Sequence, residues 1–249
     1  MKIVVIGGTG LIGAKAVALL REKGHETVAA SPSKGVSTIT GEGLQEVLKD
    51  ADIVIDVTNP PSHDADAIMA FFRDSTRNLT KAEAAAGVRH HVALSIVGVD
   101  RVEGNAYYRA KVAQEKAIAA SGVPYSIVRA TQFYEFLGVI ADANTVDGKA
   151  NLSPHQFQPI AADDVTALLV DAALAAPLNG SIDMAGPVRA PMAQIIGAYL
   201  KARDDSRAIV VDPAATYFGG VISEDSLVPT GEARRGNIAL EDWLASVNV

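Results

Sequence analysis

Lys2-Ile3-Val4-Val5-Ile6-Gly7-Gly8-Thr9-Gly10-Leu11-Ile12-Gly13 is the stretch whose reading decides the fold. Ile3 to Ile6 are apolar and mostly β-branched, the pattern of a buried strand in a parallel sheet. The glycines fall where such a strand must turn sharply into a helix, and the helical pattern then runs to about Lys23. Gly8 and Gly10 are expected to take backbone angles that a Cβ forbids, bringing main-chain N–H groups to a pyrophosphate, while Gly13 lets the helix lie close to the sheet. The helix N-terminus supplies the positive end of its dipole for the phosphates. Gly7, Gly8, Thr9, Gly10, Leu11, Ile12 and Gly13 therefore form a candidate dinucleotide loop.

Outward from this loop, strand and helix patterns alternate. Glu26 to Ala30 reads as a second strand, and the residues just after it bear on which dinucleotide fits. An NAD site usually places Asp or Glu there for the ribose 2′-hydroxyl, whereas this chain has Ser31-Pro32-Ser33-Lys34. Two hydroxyls and an ammonium suit a 2′-phosphate, so Ser31, Ser33 and Lys34 favour NADP(H) over NAD(H), although the same residues also make a good turn. A short strand is expected near Val36 to Ile39 and a helix from about Leu44 to Lys49. The buried strand Ile53 to Val57 then ends at Thr58-Asn59-Pro60-Pro61. Thr58 and Asn59 thus fall at a strand's carboxyl end, where ligands of open α/β sheets collect, and are read as lining the cofactor cleft. A rigid Pro-Pro loop is the other reading of them.

Asp64 to Ala86 has helical spacing, His91 to Ser95 reads as a strand, Ala106 to Ala120 as a helix and Tyr125 to Arg129 as a strand. The alternation specifies a doubly wound parallel sheet of the α/β class. Beyond Arg129 the pattern loosens, with helices at Ala162 to Ala175 and Met192 to Ala202 and a strand at Gly180 to Ala185. The expected organisation is one domain over 1–249, with a core of about 1–130 and a smaller substrate lobe mainly in 131–249.

Composition narrows the function. The 249 residues carry 22 basic and 29 acidic side chains, a net charge of −7 that argues against a nucleic-acid groove or an anionic membrane surface. With no cysteine, disulfides and thiolate sites are excluded. The five histidines are scattered without the helical spacing of a zinc pair, so no metal site is expected. The early apolar run is too short for a signal peptide or a membrane span, and a soluble cytoplasmic protein acting on a small molecule is expected, as a monomer or homodimer.

Tyr107 and Lys111 lie four residues apart on one helical face, and Ser95 ends the preceding strand. A phenol beside an ammonium is better able to ionise, which suits protonation of a carbonyl oxygen. Tyr107 would protonate that oxygen, Ser95 would hold it, and Lys111 would also bind the nicotinamide ribose. Taken alone, the spacing also occurs on solvated helices.

The glycine loop, Ser95, Tyr107 with Lys111, and Ser121-Gly122-Val123-Pro124-Tyr125-Ser126-Ile127-Val128-Arg129 together resemble the short-chain dehydrogenase/reductase superfamily, specifically its atypical, NmrA-like NAD(P)-binding branch. Ala161-Ala162-Asp163-Asp164-Val165 and Ala185-Gly186-Pro187 match later segments of that branch. The resemblance implies a Rossmann-type core, with Ser95, Tyr107 and Lys111 at the catalytic positions, Thr131 near the nicotinamide, and Gln132, Phe133 and Tyr134 toward the substrate. One departure is Gly41, which stands where relatives often carry an acid that binds adenine. The branch contains quinone, azo and carbonyl reductases beside NADP-binding sensors that catalyse nothing. The expected activity is NADPH-dependent reduction of a small apolar carbonyl, quinone or related acceptor, with a redox sensor as the alternative and a sugar-nucleotide epimerase as a third reading.

Overall fold

A computed structural model describes residues 1–247. Five strands alternate with helices in the first half: β1 (Lys2–Ile6), α1 (Leu11–Glu22), β2 (Glu26–Ala30), α2 (Leu44–Val47), β3 (Ile53–Asp56), α3 (Ala65–Ala86), β4 (His90–Ile96), α4 (Ala106–Ala119) and β5 (Tyr125–Ala130). Then follow α5 (Leu137–Ala143), β6 (Thr145–Val146), β7 (Lys149–Leu152), β8 (Gln156–Phe157), α6 (Ala162–Leu174), β9 (Gly180–Ala185), β10 (Ala190–Pro191), α7 (Met192–Ala202), β11 (Ala208–Val211), β12 (Ala233–Arg235) and α8 (Leu240–Val247). The main sheet has seven strands in the order β12-β9-β5-β4-β3-β1-β2. The β1 pairings with β2 and β3 are parallel, as are β3 with β4 and β9 with β12. This is the doubly wound, Rossmann-type α/β architecture that the alternation specifies. Asn248 and Val249, included in the expected lobe, lie outside the described residues.

The chain forms two compact units. The first comprises Met1–Ser95, Ala106–Arg129 and Val165–Ile182; the second comprises Ile96–Asn105, Ala130–Asp164 and the residues from Asp183 onward. In the first unit Ile3, Val4 and Val5 are fully buried, as are Val54 and Ile55 beside them in the sheet. Val4, Ile6, Leu44, Leu48, Val54 and Leu79 form one core cluster that ties α2 and α3 to the strands. Burying one such aliphatic side chain stabilises the fold by about 1.5–3 kcal/mol. Asp64 caps α3 by accepting from the Ala67 N–H at 2.9 Å, and Gly87, at φ 70°, closes the other end in the left-handed conformation.

The strand expected near Val36 to Ile39 is absent, and the segment is a looped turn. Gly35, Gly41 and Gly43 all have positive φ, which bends the chain back on itself so that Ser37 N–H reaches the Glu42 carbonyl at 2.9 Å. The Asn78 side-chain amide on α3 then clamps the turn through the Thr38 and Ile39 carbonyls. Apolar residues there are held by this turn and by packing, with no neighbouring strand to pair with.

The second unit carries a three-stranded sheet, β11-β7-β6, and a two-stranded one, β10-β8. Tyr134 packs against Trp243 with ring centroids 5.6 Å apart, and Glu135 accepts from the Trp243 indole at 3.1 Å and from Ala162 N–H. No helix among the described residues is long and apolar enough to cross a membrane.

Candidate active site

The glycine loop assembles as expected, but its glycines divide the work differently. Gly7 takes the left-handed conformation, at φ 80°, and not Gly8 or Gly10. Its N–H and that of Gly8 both donate to the Ala30 carbonyl, at 2.9 and 3.2 Å, pinning the loop to the end of β2. Gly8 is needed for packing, because a Cβ there would lie 2.7 Å from the Val5 carbonyl oxygen and 2.8 Å from Ala29 Cα. Gly13 lets α1 approach, since a Cβ would fall 2.1 Å from Gly7 O.

Gly10 is different. A Cβ there would meet only Gly7 O, at 3.4 Å, and its φ of −82° suits any residue. Packing and backbone angle therefore do not require a glycine at this position. Gly10 is the N-cap of α1, no side chain caps that helix, and Thr9, Gly10 and Leu11 are exposed. A bare Cα at an uncapped, exposed helix N-terminus is a cradle that a side chain would fill, and it fits the pyrophosphate of a dinucleotide. Ser31 and Ser33 join through their hydroxyls at 2.9 Å at the end of β2, and Ser33 and Lys34 are exposed there.

A buried polar network lies past the end of β3. Asp56 accepts from the N–H and the hydroxyl of Thr58, at 2.9 and 2.7 Å, and from the Gln114 amide at 3.1 Å. Gln114 in turn accepts from the Lys111 ammonium, which also donates to the Leu94 carbonyl at 2.8 Å and sits 4.7 Å from the centre of the Phe72 ring. Lys111 is only 3% exposed. Burial brings its pKa down to about 8, against the pull of the Asp56 and Glu115 charges.

Tyr107 packs edge-on to the same Phe72 ring at 5.6 Å, and its hydroxyl donates to Asn59 Oδ1 at 2.6 Å. The expectation that Lys111 makes this phenol easier to ionise is not met. Burial pushes the Tyr107 pKa up, and the negative charge of Asp56 pushes it further. The ammonium is already engaged by Gln114, the Leu94 carbonyl and the Phe72 ring.

Ser95 turns to a partner that the sequence reading missed. Its hydroxyl, 4% exposed, donates to Glu115 Oε1 at 2.6 Å, and Arg129 grips both oxygens of that carboxylate. The signal for Glu115 was its spacing, for Tyr107, Lys111 and Glu115 follow at i, i+4 and i+8 along one face of α4.

In the second unit Thr131 is buried and donates to the Gln158 carbonyl at 2.7 Å, and Gln132 is buried as well. Phe133 stacks on Phe136, with ring centres 5.8 Å apart. Tyr134, expected at the substrate, is a core residue: it is buried, and its hydroxyl donates to the Ile238 carbonyl at 3.2 Å. That burial, with the nearby charges of Asp164, Glu241 and Glu135, raises its pKa to about 12.

Fold and glycine cradle together define a nicotinamide-dinucleotide-binding protein with a Rossmann-type core. The family model described as NAD(P)H-binding matches residues 7–176, and the chain belongs to that family. Its cofactor is NAD(P)H. Among solved structures, a short-chain dehydrogenase/reductase superfamily protein from Agrobacterium tumefaciens with bound NAD gives a TM-score of 0.75 at 17% identity, over 99% of this chain and 95% of that one. A dTDP-4-dehydrorhamnose reductase from Bacillus anthracis in complex with NADP gives 0.68 at 15% identity, over 91% of each chain. By sequence, the chain is 31% identical over 144 residues to the (4-alkanoyl-5-oxo-2,5-dihydrofuran-3-yl)methyl phosphate reductase of Streptomyces griseus, which is 53% of this chain and 48% of that protein. It is 27% identical over 151 residues to the photosystem II assembly factor Ycf39 of Synechocystis, 55% of this chain and 46% of that one. The chain thus spans about half the length of these two curated relatives.

Proposed function

We propose that the protein is an NADPH-dependent reductase of the atypical, NmrA-like type, acting on a small acceptor such as a carbonyl compound or quinone. The observation behind this reading is the pairing of Tyr107 and Lys111 on one face of α4, both in contact with the Phe72 ring. Bound NADPH would supply the hydride. Residues 7–13 would hold the pyrophosphate, and Ser31, Ser33 and Lys34 the 2′-phosphate. Thr58, Asn59 and Thr131 would line the rest of the cofactor, with Lys111 on the nicotinamide ribose. The reductase named among the relatives agrees with a redox role.

In this reading Tyr107 gives its proton to the acceptor oxygen after releasing Asn59. Its raised pKa keeps the phenol protonated across the neutral range, as a proton donor requires. Ser95 would hold the acceptor oxygen only after its hydroxyl proton leaves the Glu115 carboxylate. Gln132 and Phe133 remain the proposed substrate contacts, and Tyr134 leaves the set.

The non-catalytic redox sensor is kept as a second reading by a specific observation. The hydroxyls of both Ser95 and Tyr107 are already donated within the protein, to Glu115 and Asn59. A screen for NADPH oxidation against ketones, aldehydes, quinones and azo compounds separates the two. Turnover of a ketone that Tyr107→Phe lowers supports the reductase. NADPH binding with no turnover of any acceptor gives the sensor instead.

A further inference from the structure

The second unit contains a polar pocket that the reductase reading leaves unused. Gln158, Arg189, Asp225, Thr230, Gly231 and Arg235 line it. Ala233 and Arg235 come from β12, which runs parallel to β9 with Arg235 opposite Ala185, and Thr230 and Gly231 from the segment leading into it. The floor is fixed. Gln158 is buried, its amide donates to the Gly186 carbonyl at 2.8 Å, and its own carbonyl receives Thr131 Oγ1. A Cβ on Gly186 would fall 1.8 Å from the Pro159 carbonyl oxygen, so this corner is closed by packing.

Three features of the walls point to an anion. First, the pocket has two guanidinium groups against one carboxylate, and Asp225 is already engaged by Arg189. Second, Arg235 has no carboxylate partner among the described residues. It shares a face of β12 with Ala233, whose small side chain leaves space beside it. Third, Gly231 has a φ outside the left-handed region and nothing within 4 Å of where a Cβ would sit. Neither backbone angle nor packing demands glycine there, and its absent side chain leaves the main chain open next to the exposed Thr230.

We propose that this pocket binds the phosphate group of a small phosphorylated ligand. Arg235 supplies a free fork of donors, Arg189 a second guanidinium held in place by Asp225, and the Thr230–Gly231 segment a hydroxyl and open backbone. That donor set suits the three terminal oxygens of a phosphate monoester better than the two of a carboxylate. The local excess of positive charge stands out in a chain of net charge −7. Neither Lys34 nor any residue of the glycine loop lines the pocket.

The test is calorimetric titration of inorganic phosphate into the protein saturated with NADPH, which keeps phosphate off the dinucleotide loop, with acetate as the comparison anion. Phosphate is expected to bind at one site and acetate at least roughly tenfold more weakly. Arg235→Ser should weaken phosphate binding by about tenfold or more, as loss of a charge-assisted contact does. Gly231→Ala should weaken it while leaving the Tm unchanged, because the added methyl meets only the ligand's space. Lys34→Ala should leave it unchanged. Phosphate affinity equal in wild type, Arg235→Ser and Gly231→Ala, no phosphate binding, or acetate binding as tightly as phosphate would each overturn the proposal. NADPH affinity, read separately from the cofactor's fluorescence, reports on the reductase reading and leaves this result independent of it.

Discussion

Lys111 is a buried charge whose cost can be measured. It is 3% exposed, and burial brings its pKa from 10.5 to about 8. That difference corresponds to roughly 3 kcal/mol of folding stability. The sign follows from linkage: the folded pKa is depressed, so between about pH 8 and 10.5 the unfolded chain binds the extra proton and stability rises with pH. Below pH 8 both states are protonated and the cost of burying the charge is present in full. By pH 9.5 about 2 kcal/mol of it should have been recovered. Lys111→Met removes the titration but keeps an apolar chain of similar length over Phe72. Urea unfolding of both proteins from pH 7 to 9.5 isolates the effect, since other titrations and the fixed cost of stranding Gln114 cancel in the slope. The wild type should gain about 2 kcal/mol relative to Lys111→Met across that range. Parallel stability curves would mean that Lys111 ionises near its ordinary value, and the argument from its burial would fail.

Three further outcomes are expected. Gly10→Ala should leave the urea midpoint within about 0.5 kcal/mol of wild type while abolishing tight NADPH binding, whereas Gly13→Ala, whose Cβ would strike Gly7 O, should destabilise the fold by roughly 1–3 kcal/mol. NADPH should bind more tightly than NADH in calorimetry, and Ser31→Asp should invert the order through repulsion of the 2′-phosphate; equal affinities in the wild type would remove Ser31, Ser33 and Lys34 from that role. Tyr107→Phe should lower kcat on a ketone by roughly 10²-fold or more at unchanged NADPH affinity. In wild type, absorbance titration should find a phenol missing from the variant that stays un-ionised beyond pH 10.

The alternation of elements was legible because each strand is a short apolar run with a helix pattern behind it, and three parallel strands follow one another from Lys2 to Asp56 with no ambiguity of period. Legibility failed where apolar residues are held by something other than a sheet. Val36 to Ile39 looks like a strand, yet Gly35, Gly41 and Gly43 turn the chain before any partner can form. The strands β6, β7 and β11 escaped for the opposite reason. They are only two to four residues long, and β11 is exposed throughout, so no buried period marks it.

Within the candidate site, the sequence offered candidate residues but not the direction of their hydrogen bonds. Tyr107, Lys111 and Ser95 were proposed from spacing, strand position and family resemblance, none of which says where a hydroxyl proton goes. That depends on which acceptor the fold brings within reach, and Asn59 and Glu115 arrive from a loop and a helix face 48 and 20 residues away in sequence. The same limit explains the error about the phenol. A lysine four residues from a tyrosine lowers its pKa only if the ammonium has no nearer claim on it, and here Gln114, the Leu94 carbonyl and the Phe72 ring make three. Pairwise reasoning along a helix therefore gives candidates for such a site, and the buried acceptors contributed by other elements decide what each candidate can do.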